Sequence, residues 1–299
     1  MSTYNLLLLR RMMSMPNTAL QSPAEKLSAT QTSLEEFRSY LELRNMSANT
    51  IRAYMYAVRQ FLTLYPDISH DYMMLYKCYL IDRYKPQTVN LRIRAVNCYM
   101  EFREQPDSKI LMIRTQHKSF LENVISQADY EYFKSCLLRD GQMQYYFIVR
   151  MMADTGMRIS ELVKLTVSDV RNGYIDLTSK GSRVRRVYIP HVVRDSCLEW
   201  LKSIRRKKGY IFLNKFGTRI STTGIRDQLK VFALRYNLDP DVVYPHAFRH
   251  LFAKNYIERC DDIAMLSDIL GHESIETTRI YLHRSSSEQQ QIFNQVVNW

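Results

Sequence analysis

Glycine placement constrains this chain more than any other feature. All eight glycines of the 299 residues fall at or after position 141, and residues 1–140 hold none. A stretch of that length without glycine has little provision for tight hairpin turns or bulges, so its apolar spacing reads as helix. Over the whole chain glycine is ~3% against a usual ~7%, which excludes collagen-like and many-turned all-β architectures.

The first 110 residues predict a compact four-helix bundle. Ser33 precedes Leu34-Glu35-Glu36 in an N-cap pattern, and Phe37, Tyr40 and Leu41 continue one face. Ser47-Ala48-Asn49-Thr50 opens a second helix with Ile51, Tyr54, Tyr56, Val58, Phe61 and Leu62 as apolar positions, ended by Pro66. A third run spans residues 69–84. A fourth follows Pro86, with Val89, Ile93, Val96 and Met100 on one stripe and Arg92, Arg94 and Arg103 off it. Residues 105–115 read as a linker.

The remainder is mixed. Residues 130–138 and 145–153 look helical. Residues 174–178 and 184–190 form two strands of a hairpin with Lys180-Gly181 at its tip, and helices resume to the end. The expected fold class is mainly α (α+β), a helical bundle followed by a mostly helical mixed domain with a small antiparallel β-sheet. The domain bounds are a leader over 1–28, a bundle over 29–110 and a second domain over 120–299.

The net charge is +12, with 14 basic against 10 acidic residues in 1–110 and 28 against 20 in 111–299. Two basic lobes favour a polyanionic partner, nucleic acid before an anionic membrane surface, although solubility alone accounts for such a charge. Five widely spaced cysteines, none in a CxxC pair, point to reduced thiols in a cytoplasmic protein. Leu6-Leu7-Leu8-Leu9 precedes its arginines, which is the wrong order for a signal peptide, and no stretch approaches a membrane span.

No P-loop and no GxGxxG is present. Cationic and imidazole groups stand out instead. Arg158 follows the sharp turn allowed by Gly156, at the start of a helix, with Glu161 three residues on. His246 and Arg249 are three apart and project together on a helix, whereas His250 lies off their face. Asp261-Asp262 starts a further helix that Gly271 ends, followed by His272 and, nine residues later, Tyr281. Singly, each has an ordinary structural explanation: a surface ion pair, a capping histidine, a packing tyrosine, a solvated lysine. His246, His250, His272 and His283 lack the spacing of a zinc site, so no metal is expected.

Taken in order, these fragments read Thr-Gly-x-Arg-x-Ser-Glu-Leu, Lys-Gly in a hairpin, His-x-x-Arg-His, Leu-Gly-His and a tyrosine. That series resembles the tyrosine site-specific recombinases, the lambda-integrase and Xer family, closely over residues 127–283 and more loosely over the bundle. The resemblance implies a SAM-like core-binding bundle that grips DNA and a catalytic domain. It implies an enzyme that cleaves and rejoins DNA through a 3′-phosphotyrosine and a Holliday junction, for integration, excision, inversion or resolution, with no cofactor. Tyr281 would be the nucleophile. Arg158 and Arg249 would clamp the phosphate, Lys180 would protonate the leaving 5′ oxygen, and His246 would assist proton transfer at the tyrosine. His272 would hydrogen-bond a phosphate oxygen, and Glu161 would support the first arginine. Two arginines and an imidazole are suited to the charge that builds on non-bridging oxygens.

Asn49, Thr50, Arg52, Lys85, Arg92, Arg94 and Arg103 are the candidate DNA contacts, although a solvated helix face explains each of them nearly as well. The short leader matches the two-domain plan without an arm-binding domain. Past Tyr281, a Ser-Ser-Ser-Glu cap and an apolar stripe (Ile292, Phe293, Val296, Val297) predict a helix over 286–299. It folds back on its own core or, as favoured here, docks in a neighbouring protomer. The expected state is a tetramer on double-stranded DNA and a monomer or dimer in solution, with room for a partner recombinase and no membrane role. The competing functions are a relaxing topoisomerase, a binding-only relative and a metal-dependent nuclease.

Overall fold

The computed structural model describes residues 23–65, 68–115, 124–178, 184–272 and 274–282, with isolated positions 294 and 297, and side chains from Gln31 onward. It divides into two compact units, residues 1–117 and 118–299. The described residues are mainly helical, with one two-stranded antiparallel sheet. None of their helices is long and apolar enough to cross a membrane.

The first unit is built from α1 (Pro23–Leu43), α2 (Ala48–Leu64), α3 (His70–Arg83) and α4 (Pro86–Phe102). Ser47 and Ser69 cap α2 and α3, accepting from the backbone N–H groups of Thr50 and Tyr72. Pro86 opens α4, where its missing N–H costs nothing. The predicted stripe of α4, Val89, Ile93, Val96 and Met100, is fully buried. It meets Phe37, Leu41, Val58, Phe61 and Tyr76 in one core.

Three local expectations differ. Ser33 does not cap α1, which begins ten residues earlier at Pro23, inside the expected leader. The Ser33 hydroxyl is buried mid-helix and meets the Tyr99 hydroxyl at 2.7 Å and Arg103 at 3.1 Å. A serine with such tertiary partners has no need to bond the backbone, so the helix runs through it. Tyr56 is 58% exposed, because Met55 and Ala57 take the inward positions. The expected linker is a packed strap. Asn97 donates to Ile110 O and accepts from Ile110 N–H, and Asn90 does the same for Ile113, at 2.8–3.1 Å. Two amides, two turns apart on α4, thus satisfy an extended chain as a neighbouring strand would.

The second unit contains α5 (Gln127–Arg139), α6 (Met143–Thr155), α7 (Ile159–Leu162), α8 (Val167–Asn172), β1 (Tyr174–Thr178), β2 (Val184–Tyr188), α9 (His191–Ser203), α10 (Thr222–Arg235), α11 (Pro245–Arg259), α12 (Ile263–Leu270) and α13 (Glu276–Arg279), closed by a 3-10 turn over Ile280–Leu282. Helix α6 is central. Seven of its residues are buried, and it packs against α5, α9 and α11. The hairpin pairs Tyr174 with Tyr188 and Asp176 with Arg186, the latter a bidentate ion pair at 2.7 Å. A smaller cluster of Ala253, Ile257, Leu266 and Leu270 joins α11 to α12, and Tyr281 packs on it. That cluster places the chain after Gly271 against α11. Lys180, the expected leader before residue 23 and the expected tail helix lie outside the described residues, apart from the two isolated tail positions.

Candidate active site

Five segments far apart in sequence meet at the C-terminal end of α12. A glycine in the left-handed region ends each of the helices α6 and α12, Gly156 at φ 65° and Gly271 at φ 62°. The first turn points Arg158 away from α6 and makes it the N-cap of α7. There its backbone N–H donates to Glu161 Oε2 at 2.8 Å and its guanidinium to Glu161 Oε1 at 3.0 Å. The Glu161 carboxylate therefore caps a helix and anchors an arginine at once.

Gly156 also has no room for a side chain. A Cβ there would lie 2.4 Å from Phe252 Cδ1 and 2.9 Å from Leu270 Cδ2. Gly156→Ala combines left-handed strain with overpacking, so stability should fall by about 2–4 kcal/mol in urea unfolding. Wild-type stability in that variant would show that Phe252 yields freely.

Three guanidiniums converge on the carbonyls at the end of α12. Arg249 donates to Leu270 O at 2.7 Å and to Gly156 O at 2.6 Å. Arg158 donates to Gly271 O at 2.9 Å, and Arg185 of β2 donates to Leu270 O. These carbonyls carry the negative end of the helix, so cations there are doubly favoured. Arg249 is only 3% exposed, and burial next to Arg158 lowers its pKa to about 10, still charged at neutral pH. Arg185 is partly buried and ion-pairs with Glu161 at 2.6 Å. Burial lowers its pKa too, opposed by Glu161.

His272 Nε2 lies 3.0 Å from the Arg249 guanidinium, which can only donate. Nε2 is therefore the acceptor, and Nδ1 donates to Thr278 Oγ1 at 2.7 Å. Burial, then Arg249, Arg158 and Arg185, pushes the His272 imidazole down to about 4. Tyr281 Oη lies 2.7 Å from Nδ1 of His250. Burial raises the phenol to about 12 although Arg249 pulls it down. His250 is itself lowered to about 4 by burial, His246 and Arg249. His246 sits one turn earlier with its ring 6.0 Å from that of His250, lowered by burial, Arg249, Arg158 and Arg226.

The expected grouping is thus found for Arg158, Glu161, Arg249, His272 and Tyr281. His250 was expected off the working face. It is on it, because residues i and i+4 of a helix are as close as i and i+3, and the tyrosine approaches from that side. Arg185 and Thr278 went unnoticed in the sequence. The signal for Arg185 was strand alternation, since it shares a face with buried Val187. Thr278 lies one helical turn before Tyr281 and is fully buried.

Of the bundle residues, Asn49 and Arg52 bond one another, and Thr50 bonds the Ser47 cap. Arg92 stacks on the rings of Tyr84 and Tyr56, 3.9 and 5.2 Å from their centroids, and Arg103 bonds Ser33. Arg94 is exposed, its guanidinium 3.8 Å from the Met112 sulfur, and Lys85 is exposed at the head of α4.

The description "Phage integrase family" fits residues 99–288. Tyrosine recombinase XerA of Pyrococcus furiosus is 27% identical over 83% of this chain and 88% of the relative. Tyrosine recombinase XerD of Staphylococcus haemolyticus is 24% identical over 89% and 98%. Among solved structures, the Tn1549 transposon integrase in complex with transposon right end DNA has a TM-score of 0.70 at 16% identity, covering 89% of this chain and 99% of that one. XerH site-specific recombinase bound to difH substrate has a TM-score of 0.67 at 18% identity, covering 96% and 93%.

Proposed function

This chain belongs to the phage integrase family of tyrosine recombinases, and from that premise we propose that Tyr281 cleaves a DNA strand held by Arg158 and Arg249. The observation that carries the reading is the buried fork of Arg249, which ties the turn before Arg158 and the end of α12 to His272, with Tyr281 packed alongside. Attack of the phenol on a phosphodiester puts charge on the non-bridging oxygens, and preorganised guanidiniums stabilise that charge without waiting for solvent to reorganise. Tyrosine is a weak nucleophile at neutral pH, and a cationic pocket favours its anion. When the phosphate arrives, His272 changes tautomer, so that Nε2–H donates to a phosphate oxygen and the Thr278 hydroxyl donates to Nδ1. Lys180 protonates the 5′ oxygen, and His246 serves proton transfer within the same cluster. The product is a 3′-phosphotyrosine and a free 5′-hydroxyl. The covalent link conserves the bond energy, so rejoining needs neither ATP nor a metal.

The bundle grips the duplex through phosphate contacts, with Arg94, Lys85, Asn49, Thr50 and Arg52 available. Arg92 and Arg103 are prepositioned by their aromatic and hydroxyl partners. The test is incubation with element-end or genomic DNA carrying a nick next to the cleavage site, in EDTA and without ATP. An SDS-stable protein–DNA adduct is expected, and sequencing the trapped DNA gives the site. A requirement for a divalent metal would instead mark a nuclease, and relaxation of supercoiled DNA without partner sites a topoisomerase.

The segment 286–299 docks on a neighbouring protomer and links four subunits on DNA. Deleting it should abolish synapsis in native gels while half-site binding changes less than about 3-fold, a difference below 1 kcal/mol. Normal recombination by the truncated chain would end that assignment.

A further inference from the structure

The nucleophile proposed above already has a proton acceptor in contact with it, and it is not the histidine that the motif spacing favours. We propose that His250 is a catalytic residue, taking the proton of the Tyr281 phenol through Nδ1 as the phenol oxygen bonds to phosphorus. This rests on the reading of Tyr281 as nucleophile.

The geometry carries the assignment. Nδ1 lies 2.7 Å from Oη, within the reach required of a general base. The rings are tilted at 49° with centroids 5.7 Å apart, so the contact runs edge to edge through the heteroatoms rather than face to face. Both partners sit on fixed elements, His250 on the fifteen-residue α11 and Tyr281 on the 3-10 turn packed against it. The nearest rival, His246, faces His250 at 6.0 Å.

The surrounding charges explain why the pair stays idle without DNA. Burial, then His246 and Arg249, hold His250 neutral, and burial holds the phenol neutral. The phenol then donates and Nδ1 accepts, and full transfer is uphill. His272 faces the same cluster and is itself neutral. A DNA phosphate arriving between Arg158 and Arg249 brings a negative charge into this positive field. It offsets the cations that depress the imidazole, so the imidazolium becomes accessible only when substrate is present. The proton goes from Oη to Nδ1 while the Oη–P bond forms. The P–O5′ bond breaks with its electron pair on O5′, which takes a proton from the separate acid. On rejoining, the 5′-hydroxyl returns its proton to that acid as O5′ attacks phosphorus, and the imidazolium returns its own to the departing phenolate. No proton is gained or lost over the cycle.

The experiment is single-turnover cleavage of a nicked substrate, in parallel with a substrate whose scissile O5′ is replaced by sulfur. A thiolate leaves without an acid, so that substrate isolates activation of the nucleophile. His250→Ala and His250→Asn should each lose on the order of 10²–10⁴-fold in cleavage on both substrates, with DNA affinity unchanged. Asn offers an acceptor oxygen near the place of Nδ1 but no base, so it keeps the tyrosine positioned without restoring rate. Lys180→Ala should be rescued by the sulfur substrate. The acidic limb of the wild-type pH–rate profile should vanish in His250→Asn and persist in His246→Ala. Rescue of His250→Ala by sulfur would move His250 to the leaving group and overturn the proposal. Wild-type rate in His250→Asn would reduce it to a positioning residue. Adduct formation by Tyr281→Phe would show that the reading of the nucleophile, and not this inference, had failed.

Discussion

Tyr281→Phe should form no SDS-stable adduct with a nicked substrate while still binding it. Removing the nucleophile from a catalytic unit costs on the order of 10⁴–10⁶ in turnover. The fold should barely register the change. The ring keeps its packing against the cluster of Ala253, Ile257, Leu266 and Leu270, and only the hydroxyl contact with His250 is lost. That hydrogen bond contributes about 1 kcal/mol, and its loss leaves His250 Nδ1 without this donor. Cleavage and stability therefore separate cleanly in this variant. The check is a paired measurement of adduct yield and urea midpoint. A persistent adduct would shift the nucleophile to another residue, and a large drop in midpoint would make the tyrosine structural first.

Arg249→Lys should lose both activity and stability, although it keeps the charge. The guanidinium spans Gly156 O, Leu270 O and His272 Nε2 from a site 3% exposed. A lysine ammonium is a single point with a shorter reach and no planar fork. At least one carbonyl then loses its donor in a buried place, which costs about 1–3 kcal/mol. Losing one preorganised donor to the phosphate costs about 10²–10³ in rate. His272 also loses the contact that sets its tautomer. Single-turnover cleavage with urea unfolding reads both effects. Wild-type cleavage by the lysine variant would mean that charge alone, without the fork, is sufficient.

The buried fork of Arg249 also explains how the catalytic role proposed for it and a stability role coincide. In the structure its donors satisfy main-chain carbonyls at the ends of two helices. A phosphate oxygen is an acceptor of the same kind with more charge. The collar formed by Arg158, Arg185 and Arg249 is therefore assembled before substrate binds, and its positive charge is kept by the fold rather than by DNA.

Much of this was legible in residue order. The glycine-free start predicted the helical bundle, because helices are local and capping serines and prolines mark their ends. Ser47, Ser69 and Pro86 sit where the sequence placed them. Gly271 ends its helix and Gly156 makes the sharp turn as predicted, both through a left-handed conformation that lets the chain leave a helix. The fragments around Arg158, Arg249, His272 and Tyr281 identified a family by their order.

Tertiary structure decided what order alone leaves open. Ser33 looked like a cap until Tyr99, 66 residues away, claimed its hydroxyl. Residues 105–115 looked like a linker because no local pattern reveals that Asn90 and Asn97 hold them. Arg185 belongs to no motif of the series, and only the approach of α12 turns it inward onto Glu161 and Leu270. Helix geometry allows both His246 and His250 to face the tyrosine. Which imidazole it meets depends on how the turn after α13 packs on α11, a contact between residues 31 apart. Spacing along a helix fixes which side chains share a face, whereas the partner that reaches that face comes from elsewhere in the chain.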